Sequence, residues 1–332
     1  MNAAIALALP FVAALGVMAL LLRSSWTERL ADHPNERSLH SRAKPRIGGI
    51  AIVLATLPVA AWFGGSRLEM VWALALGLSL VSFADDLRSL PISIRIAAHV
   101  GAAAIAVAAL VPQFPHAHLL IAAALALALA WMTNLYNFMD GSDGLAGGMA
   151  VIGFGAYAIA AAQSGATNVA LASLAIASGA AAFLVFNFPP ARLFMGDAGS
   201  IPLGFLAGVL GMHGAVAEIW PSWFPLLVFS PFIVDASVTL ARRALAGEAF
   251  WRAHRSHSYQ RLVLEGWSPR RLALSSYALM IAASASAIAA CMQERETQYA
   301  ILGLWSAMYV ASIVAIERRT PQSATQRGRG PR

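Results

Sequence analysis

Eleven long apolar stretches occupy most of this chain and are separated by short polar segments. A helix needs about 20 apolar residues to cross a bilayer, so each stretch predicts one membrane span. Of the 332 residues, 59% are hydrophobic and 12% are charged, which is too apolar for a soluble domain of this length. We therefore predict an all-α polytopic membrane protein. The predicted spans cover approximately residues 3–22, 47–63, 68–83, 93–111, 118–135, 145–162, 167–187, 200–216, 222–241, 271–291 and 299–316.

The basic residues predict the orientation of these spans. Cytoplasmic loops of membrane proteins carry an excess of Lys and Arg. Here 20 of the 23 fall on one side, so we predict an outside N-terminus, a cytoplasmic C-terminus and a retained first span. The basic residues form no single patch interleaved with aromatics, so the net charge of +7 does not indicate a nucleic-acid partner. The five basic segments are 23–46, 84–92, 188–199, 241–271 and 317–332.

The domain prediction follows from this topology. Residues 1–316 are predicted to form one transmembrane domain, and residues 317–332 a basic, disordered cytoplasmic tail. The cytoplasmic loops expected to carry the active site are 23–46, 84–92, 136–144, 188–199 and 242–270.

Five aspartates fall at predicted cytoplasmic span ends. Carboxylates gathered at a membrane boundary repel one another, and a bound cation would relieve that repulsion. Cys291 is the only cysteine, so a thiolate metal cluster is excluded, and oxygen donors favour Mg²⁺, with Mn²⁺ as the alternative. These residues are Asp85, Asp86, Asp140, Asp143 and Asp197.

A polar stretch at residues 134–148 is the strongest single signal for chemistry. Asn134, Asn137, Asp140 and Asp143 recur every three residues, so a continuing helix would carry them as a slowly rotating polar stripe. An Asx-rich turn between two spans would explain the same residues without any function.

Basic residues on the same predicted face favour anions. Arg42, Lys44 and Arg46 precede Gly48 and Gly49, where the backbone could approach a phosphate at a helix N-terminus. Positive-inside charge followed by a glycine pair that packs helices is the alternative. A second cluster in the last cytoplasmic loop also suits phosphate binding and contains His254, Arg255, His257 and Arg261.

Two charged residues within predicted spans can each be interpreted in two ways. Arg95 is expected to snorkel to the cytoplasmic surface, with a functional role as the alternative. Asp235 either pairs with Arg242 or Arg243 or contributes to the site.

Five motifs in chain order resemble the polyprenyl-phosphate N-acetylhexosamine-1-phosphate transferases, the family that includes the WecA and MraY enzymes. The first and last look most like its O-antigen and exopolysaccharide branch, although Ser256 stands where relatives often carry another histidine. The motifs lie at 34–40 with 45–49, at 85–88, at 134–144, at 187–200 and at 254–262.

This resemblance implies transfer of an N-acetylaminosugar 1-phosphate from a UDP-sugar to undecaprenyl phosphate, with release of UMP. The donor would be UDP-GlcNAc or a 6-deoxy relative, and the product would initiate O-antigen or another surface polysaccharide. The enzyme would depend on Mg²⁺ and act on the cytoplasmic face of a bacterial inner membrane. A homodimer would be unsurprising for the family.

The resemblance also implies roles for single residues. Asp197 would be the main magnesium ligand, with Asn187 on the metal or the diphosphate, and Asp85 and Asp86 would place or deprotonate the lipid phosphate. The nucleotide and its diphosphate would be held by Asn137, Asp140 and Asp143. Arg88 lies near the position of a nucleotide-side lysine in relatives. Asn134 and the basic residues Lys44, Arg46, Arg255 and Arg261 are the further expected substrate contacts, and His254 and His257 match the ends of the family's histidine motif.

Three other classes share parts of this pattern. A secondary transporter would place carboxylates near the bilayer midplane and show an internal repeat, neither of which the sequence indicates. A CDP-alcohol phosphotransferase would continue differently after Asp140 and Gly141. An intramembrane aspartyl protease would need a glycine at the position of Phe194.

Overall fold

The computed structural model of the protein describes residues 1–34, 43–110, 119–248 and 254–319. Arg42, most of the motif at 34–40 and the tail from residue 320 therefore lie outside the described residues. The helices are α1 (Asn2–Leu21), α2 (Trp26–Arg29), α3 (Gly48–Gly64), α4 (Glu69–Arg88), α5 (Ile92–Leu110), α6 (Leu119–Phe138), α7 (Leu145–Gln163), α8 (Thr167–Asn187), α9 (Asp197–Val216), α10 (Trp223–Val228), α11 (Ser230–Leu245), α12 (Ser258–Leu264), α13 (Pro269–Cys291) and α14 (Arg295–Arg319).

The described residues confirm the prediction of an all-α polytopic membrane protein. Nine helices among them are long and apolar enough to cross a membrane, and α3 is apolar but shorter, with 17 residues. The strands in this part of the chain are β1 (Ala31–Asp32) and β2 (Lys44–Pro45), which pair antiparallel. The number of spans and their orientation stay predictions.

The predicted ninth span is wrong as one continuous helix. Residues 222–241 are divided between α10 and α11, with Phe229 between the two helices. Pro231 lies in the first turn of α11, where its missing N–H is tolerated but cannot extend α10. Phe229 packs against Phe154 and Tyr157 of α7, with ring centroids 5.9 and 5.5 Å away. This break therefore has a fixed position against α7.

Helices α7, α8 and α9 form the centre of the bundle, whereas α14 buries Trp305 alone among its described residues. The central helices approach their neighbours closely because small residues line the contacts. A Cβ added to Gly49 of α3 would lie 2.4 Å from the Gly199 Cα of α9. One added to Gly179 of α8 would lie 2.2 Å from the Thr56 side chain. Backbone contact between α3 and α9 therefore fixes where these two helices begin.

Candidate functional site

Helix ends that are distant in sequence meet at one end of the bundle. The carboxylate of Asp86, near the end of α4, accepts the backbone N–H of Ala198 at the start of α9, at 3.4 Å. Ser79 of α4 donates to the Ala198 carbonyl at 2.7 Å. Gly196 has φ +76° and lies so close that a Cβ there would be 3.0 Å from Arg46 and 3.2 Å from Asp86. The turn before α9 therefore requires glycine and brings Arg46 beside these aspartates.

Three aspartates, Asp86, Asp140 and Asp197, lie within electrostatic range of one another, and we refer to them as the carboxylate cluster. Burial, and then the charge of Asp197, raises the pKa of Asp140 well above its ordinary value. The Arg46 guanidinium is 3.5 Å from Asp86, but it also donates to Asp32. The carboxylates of the cluster therefore share Arg46 with Asp32, and a bound cation would relieve the repulsion among them.

The cluster fits a metal ion whose ligands come partly from substrate. Among the described residues, no three His, Cys, Asp or Glu side chains are close enough together to hold a metal ion by themselves. Mg²⁺ is commonly bound by one or two carboxylates, and substrate phosphates and water complete its octahedron. Asp197 and its neighbours in the cluster suit that arrangement.

Asp85 has different partners from its sequence neighbour Asp86. Its carboxylate pairs with Arg95 of α5 at 3.0 Å and accepts the Leu90 backbone N–H at 2.6 Å. Asp85 therefore ties the end of α4 to the start of α5. Arg95, which was expected to snorkel to the cytoplasmic surface, is 38% exposed and is the ion-pair partner of this aspartate.

The predicted polar stripe at residues 134–143 is wrong as a feature of one helix, because α6 ends at Phe138. Asn134 contacts His99 at 3.1 Å, and Asn137 accepts a hydrogen bond from Ser200 of α9 at 2.9 Å. Asp140 and Asp143 follow the helix in a turn. The four residues consequently face different neighbours.

Asp143 joins the basic segment to the loop before α9. Its carboxylate lies 3.5 Å from Lys44 Nζ and accepts the Ala191 backbone N–H at 2.9 Å. Lys44 Nζ also lies 4.9 Å from the centre of the Phe194 ring. The ammonium group is thus held over the aromatic face beside the carboxylate.

Asn187 braces two loops. Its side-chain oxygen accepts the Gly144 backbone N–H at 2.8 Å, and its NH₂ group donates to the Leu193 carbonyl at 2.9 Å. The residue is 3% exposed. Its predicted role as a metal ligand stays a prediction, and its observed contacts position the loops on either side of the carboxylate cluster.

The sequence suggested that the backbone at Gly48 and Gly49 could approach a phosphate, but the structure shows these two residues in other contacts. Their backbone N–H groups donate to the carbonyls of Phe194 and Met195, at 2.9 and 2.8 Å. These donors are therefore already used, and Gly49 packs directly on Gly199. The glycine pair packs helices, which was the alternative interpretation.

A second wall of the site comes from the segment after α11. His254, His257 and Tyr259 form what we refer to as the histidine wall. The two histidine rings are 4.9 Å apart, and His257 stacks between Tyr259 at 5.8 Å and Phe138 at 6.3 Å. The Tyr259 hydroxyl donates to the Phe138 carbonyl at 3.0 Å, which joins this wall to the turn that carries Asp140. Burial, and then the charge of His257, lowers the pKa of His254 to about 4.

Asp235 pairs with neither of the arginines suggested by the sequence. Arg242 pairs with Glu317 of α14, and Arg243 pairs with Glu248 at 2.6 Å. The Asp235 carboxylate instead accepts the backbone N–H groups that follow His257. Asp235 therefore contacts the histidine wall and forms no ion pair with these two arginines.

The remaining predicted substrate contacts differ in burial. Arg88 is exposed at the end of α4, and Arg255 is partly buried between the two histidines in sequence. Arg261 is buried near Arg242 and Glu317. Trp251, in the same basic segment, lies outside the described residues. Lys44 and Arg46 therefore each lie beside an aspartate of the site, and the histidine wall joins the turn that carries Asp140 through Tyr259.

Four contributors were not found by sequence reasoning: Asp32, Ser200, Tyr259 and Tyr277. Asp32 holds Arg46, and Tyr277 donates to the Gly144 carbonyl at 2.7 Å. Tyr259 and Ser200 are inside the quoted motifs, which was a usable signal. Asp32 and Tyr277 stand apart from every motif, so no local pattern indicated them.

Comparison with known proteins gives a consistent result. A family model described as Glycosyl transferase family 4 matches residues 68–215. The chain is 29% identical to a probable undecaprenyl-phosphate N-acetylglucosaminyl 1-phosphate transferase of Bacillus subtilis, over 77% of this chain and 76% of that protein. It is 29% identical to the phospho-N-acetylmuramoyl-pentapeptide-transferase of Desulforudis audaxviator, over 78% of this chain and 88% of that protein. It is 36% identical to the enzyme of the same name from Moorella thermoacetica, over 47% and 48% of the two chains.

The matched range contains all five predicted aspartates together with Asn187, and the longer alignments extend beyond it. The family model and these relatives together support membership of this chain in the WecA/MraY-like family of polyprenyl-phosphate N-acetylhexosamine-1-phosphate transferases.

Proposed function

We propose that this protein transfers an N-acetylaminosugar 1-phosphate from a UDP-sugar to undecaprenyl phosphate and so initiates a cell-surface polysaccharide. The reaction would occur at the cytoplasmic face of a bacterial inner membrane. UDP-GlcNAc and its 6-deoxy relatives are the donors we favour. The observation that carries the proposal is the mutual repulsion of the buried carboxylates directly beside Arg46, because it combines a site that favours a cation with a group that binds anions.

The chemistry is a displacement at phosphorus. An oxygen of the lipid phosphate attacks the phosphorus that bears the sugar, and the bond from that phosphorus to the bridging oxygen of UMP breaks. UMP leaves with the electron pair, and the sugar 1-phosphate stays on the lipid as a diphosphate. Both reactants are anions, so catalysis depends on alignment and on neutralisation of their charge.

Asp197 would hold Mg²⁺, with help from Asp86 or Asp140 and from the diphosphate. When bound, the ion supplies Lewis-acid neutralisation of the diphosphate oxygens. Arg46 would approach the same phosphates, since it already lies 3.5 Å from Asp86. Lys44, held against Asp143 and Phe194, would place a second positive charge on the nucleotide side.

Asp85 and the histidine wall would each act on a phosphate group of the substrates. Asp85, held by Arg95, would orient the lipid phosphate or accept its proton. His257, stacked between Phe138 and Tyr259, would present a ring nitrogen to a phosphate oxygen.

The decisive experiment is a donor panel. Purified protein in detergent or nanodiscs is incubated with Mg²⁺, undecaprenyl phosphate and individual UDP-N-acetylaminosugars, including 6-deoxy sugars. We expect UMP release and an extractable sugar lipid in equal amounts with at least one donor, and loss of both when EDTA is added. A lack of turnover across the whole panel by folded protein would overturn the proposal.

The control variant is Glu69→Gln. Glu69 is exposed at the start of α4, the opposite end of the helix from Asp85 and Asp86. It should retain wild-type turnover. A similar loss in this variant would indicate a general effect of charge removal on folding.

A further inference from the structure

A buried network organises the histidine wall from behind. The Asp235 carboxylate, on α11, accepts the backbone N–H of Ser258 at 2.7 Å and that of Tyr259 at 3.1 Å. It also accepts the Thr239 hydroxyl, one turn further along α11, at 3.2 Å. The side chain is 12% exposed. Asp235 thus fixes the two residues that directly follow His257.

The ring of His257 is held on several sides. It is 3% exposed and stacks with Phe138 and Tyr259, and its backbone N–H donates to the Gln260 side chain at 3.3 Å. Packing therefore restricts rotation of the ring. What remains to be set is which ring nitrogen carries the proton.

Within the described chain, Nδ1 of His257 is buried and has no hydrogen-bond partner. The Asp235 Oδ1 atom is 3.7 Å away, which is about 0.7 Å longer than a normal hydrogen bond. A buried nitrogen without a partner is unfavourable, and a small shift of the ring would satisfy it. As the N-cap of α12, His257 also faces the Gln260 backbone N–H, which an unprotonated Nδ1 would accept. A contact with the Asp235 carboxylate requires a protonated Nδ1, whereas a contact with the Gln260 N–H requires an unprotonated one.

We propose that Asp235 is a positioning residue for His257: it fixes the backbone after the histidine and keeps the proton on Nδ1. Nε2 is then the ring nitrogen available to the reacting groups, and once it takes up a proton it can donate to a phosphate oxygen while Asp235 balances the charge of the ring. A carboxylate behind a functional histidine serves the same purpose in many metal sites, where its removal costs about 10- to 100-fold in activity. This inference rests on the proposed function for its kinetic test, but not for its spectroscopic one.

The kinetic test uses Asp235→Asn, which keeps one acceptor oxygen for the backbone and removes the charge. We expect kcat to fall about 10- to 100-fold with KM changed less than about 3-fold. In a His257→Gln background the same substitution should change kcat less than about 2-fold, because its target is gone. Equal losses in the two backgrounds would show a merely structural tie and overturn the proposal.

Two further variants calibrate the result. Thr239→Val removes one hydrogen bond to Asp235 and should lower kcat in the same direction by less than Asp235→Asn. Ser237→Ala breaks the 3.1 Å hydrogen bond from Trp131 to the same helix without touching Asp235, and should keep wild-type kcat. A Ser237→Ala loss as large as that of Asp235→Asn would overturn the proposal.

The spectroscopic test observes the tautomer directly. Protein labelled with ¹⁵N-histidine is measured by solid-state NMR, and the His257→Gln variant assigns the signal. We expect a protonated Nδ1 in the wild type and a changed tautomer in Asp235→Asn. An unprotonated Nδ1 in the wild type would overturn the proposal. If the tautomer is as expected but no donor is turned over, the proposed function fails and this inference stands.

Discussion

The buried carboxylates of the carboxylate cluster and of the histidine wall have contrasting surroundings. In the cluster, Asp86, Asp140 and Asp197 share one guanidinium that is also bound to Asp32. In the wall, a single carboxylate, Asp235, accepts two backbone N–H groups and a hydroxyl and faces a histidine. Buried carboxylates are stable when they are satisfied by donors. The carboxylates of the cluster, which repel one another, would thus gain most from a bound cation, whereas Asp235 holds neighbouring parts of the protein together.

The largest effect expected from this contrast is loss of turnover in Asp197→Asn. If Asp197 holds the metal ion, its replacement removes a ligand of that ion. Activity should then fall at least about 1,000-fold, as expected when several kcal/mol of stabilisation by the metal are lost. The unfolding temperature should stay unchanged or rise, because repulsion decreases. UMP release and thermal unfolding measure the two effects. Normal turnover would remove Asp197 from the metal site.

A packing variant tests how closely the cluster depends on the contact between α3 and α9. A Cβ at Gly49 would lie 2.4 Å from Gly199, so Gly49→Ala should lower the free energy of unfolding by about 1–3 kcal/mol and reduce activity. The matched control is Gly77→Ala, since nothing lies within 4 Å of a Cβ there. It should be neutral or stabilise by up to about 1 kcal/mol. Thermal or denaturant unfolding distinguishes them, and equal stability of the two variants would refute the tight contact.

Lys44→Met tests whether the cation beside Asp143 serves substrate binding or only structure. Loss of a charge-assisted contact to the nucleotide diphosphate should raise KM for the UDP-sugar about 10-fold with kcat nearly unchanged. Lys44→Arg should recover most of the affinity. Initial-rate kinetics over donor concentration provide the measurement, and a fall in kcat at constant KM would contradict the assignment.

The smallest effect concerns pH and the histidine wall. The folded-state pKa of His254 is lowered to about 4 from an ordinary value of 6.5, so the unfolded chain binds its proton first. This group therefore lowers stability as pH falls from about 6.5 toward 4 and has no such effect above that window. In His254→Gln the decline of the unfolding temperature over this window should be shallower. Parallel curves for variant and wild type would contradict the lowered pKa.

Hydropathy and charge were sufficient to predict the helical membrane fold, because it depends on local composition, and they pointed to the aspartates of the candidate site. They could not predict the break between α10 and α11. A run of apolar residues indicates that a segment is buried, but it does not show where the helix is interrupted. The break depends on how Phe229 packs against α7. Pro231 was the local sign of that break.

The ion-pair and hydrogen-bond partners of the aspartates were the least predictable property of the site. Asp85 and Asp86 are adjacent in sequence, yet one pairs with Arg95 and the other faces Arg46. Adjacent residues on a helix point in different directions, so their partners depend on which helices lie on each side. For the same reason Asp235 bonds the residues after His257 and not the arginines that follow it on its own helix.

Helix α3 has a consequence for the surrounding lipid. Its 17 residues span about 26 Å at 1.5 Å per residue, which is less than the roughly 30 Å thickness of a typical hydrocarbon core. It begins at Gly48, two residues after Arg46. Such a hydrophobic mismatch is relieved when the bilayer thins locally or when flanking polar residues reach toward the interface. Membrane thickness thereby acts on the same helix end that carries the contact with Gly199.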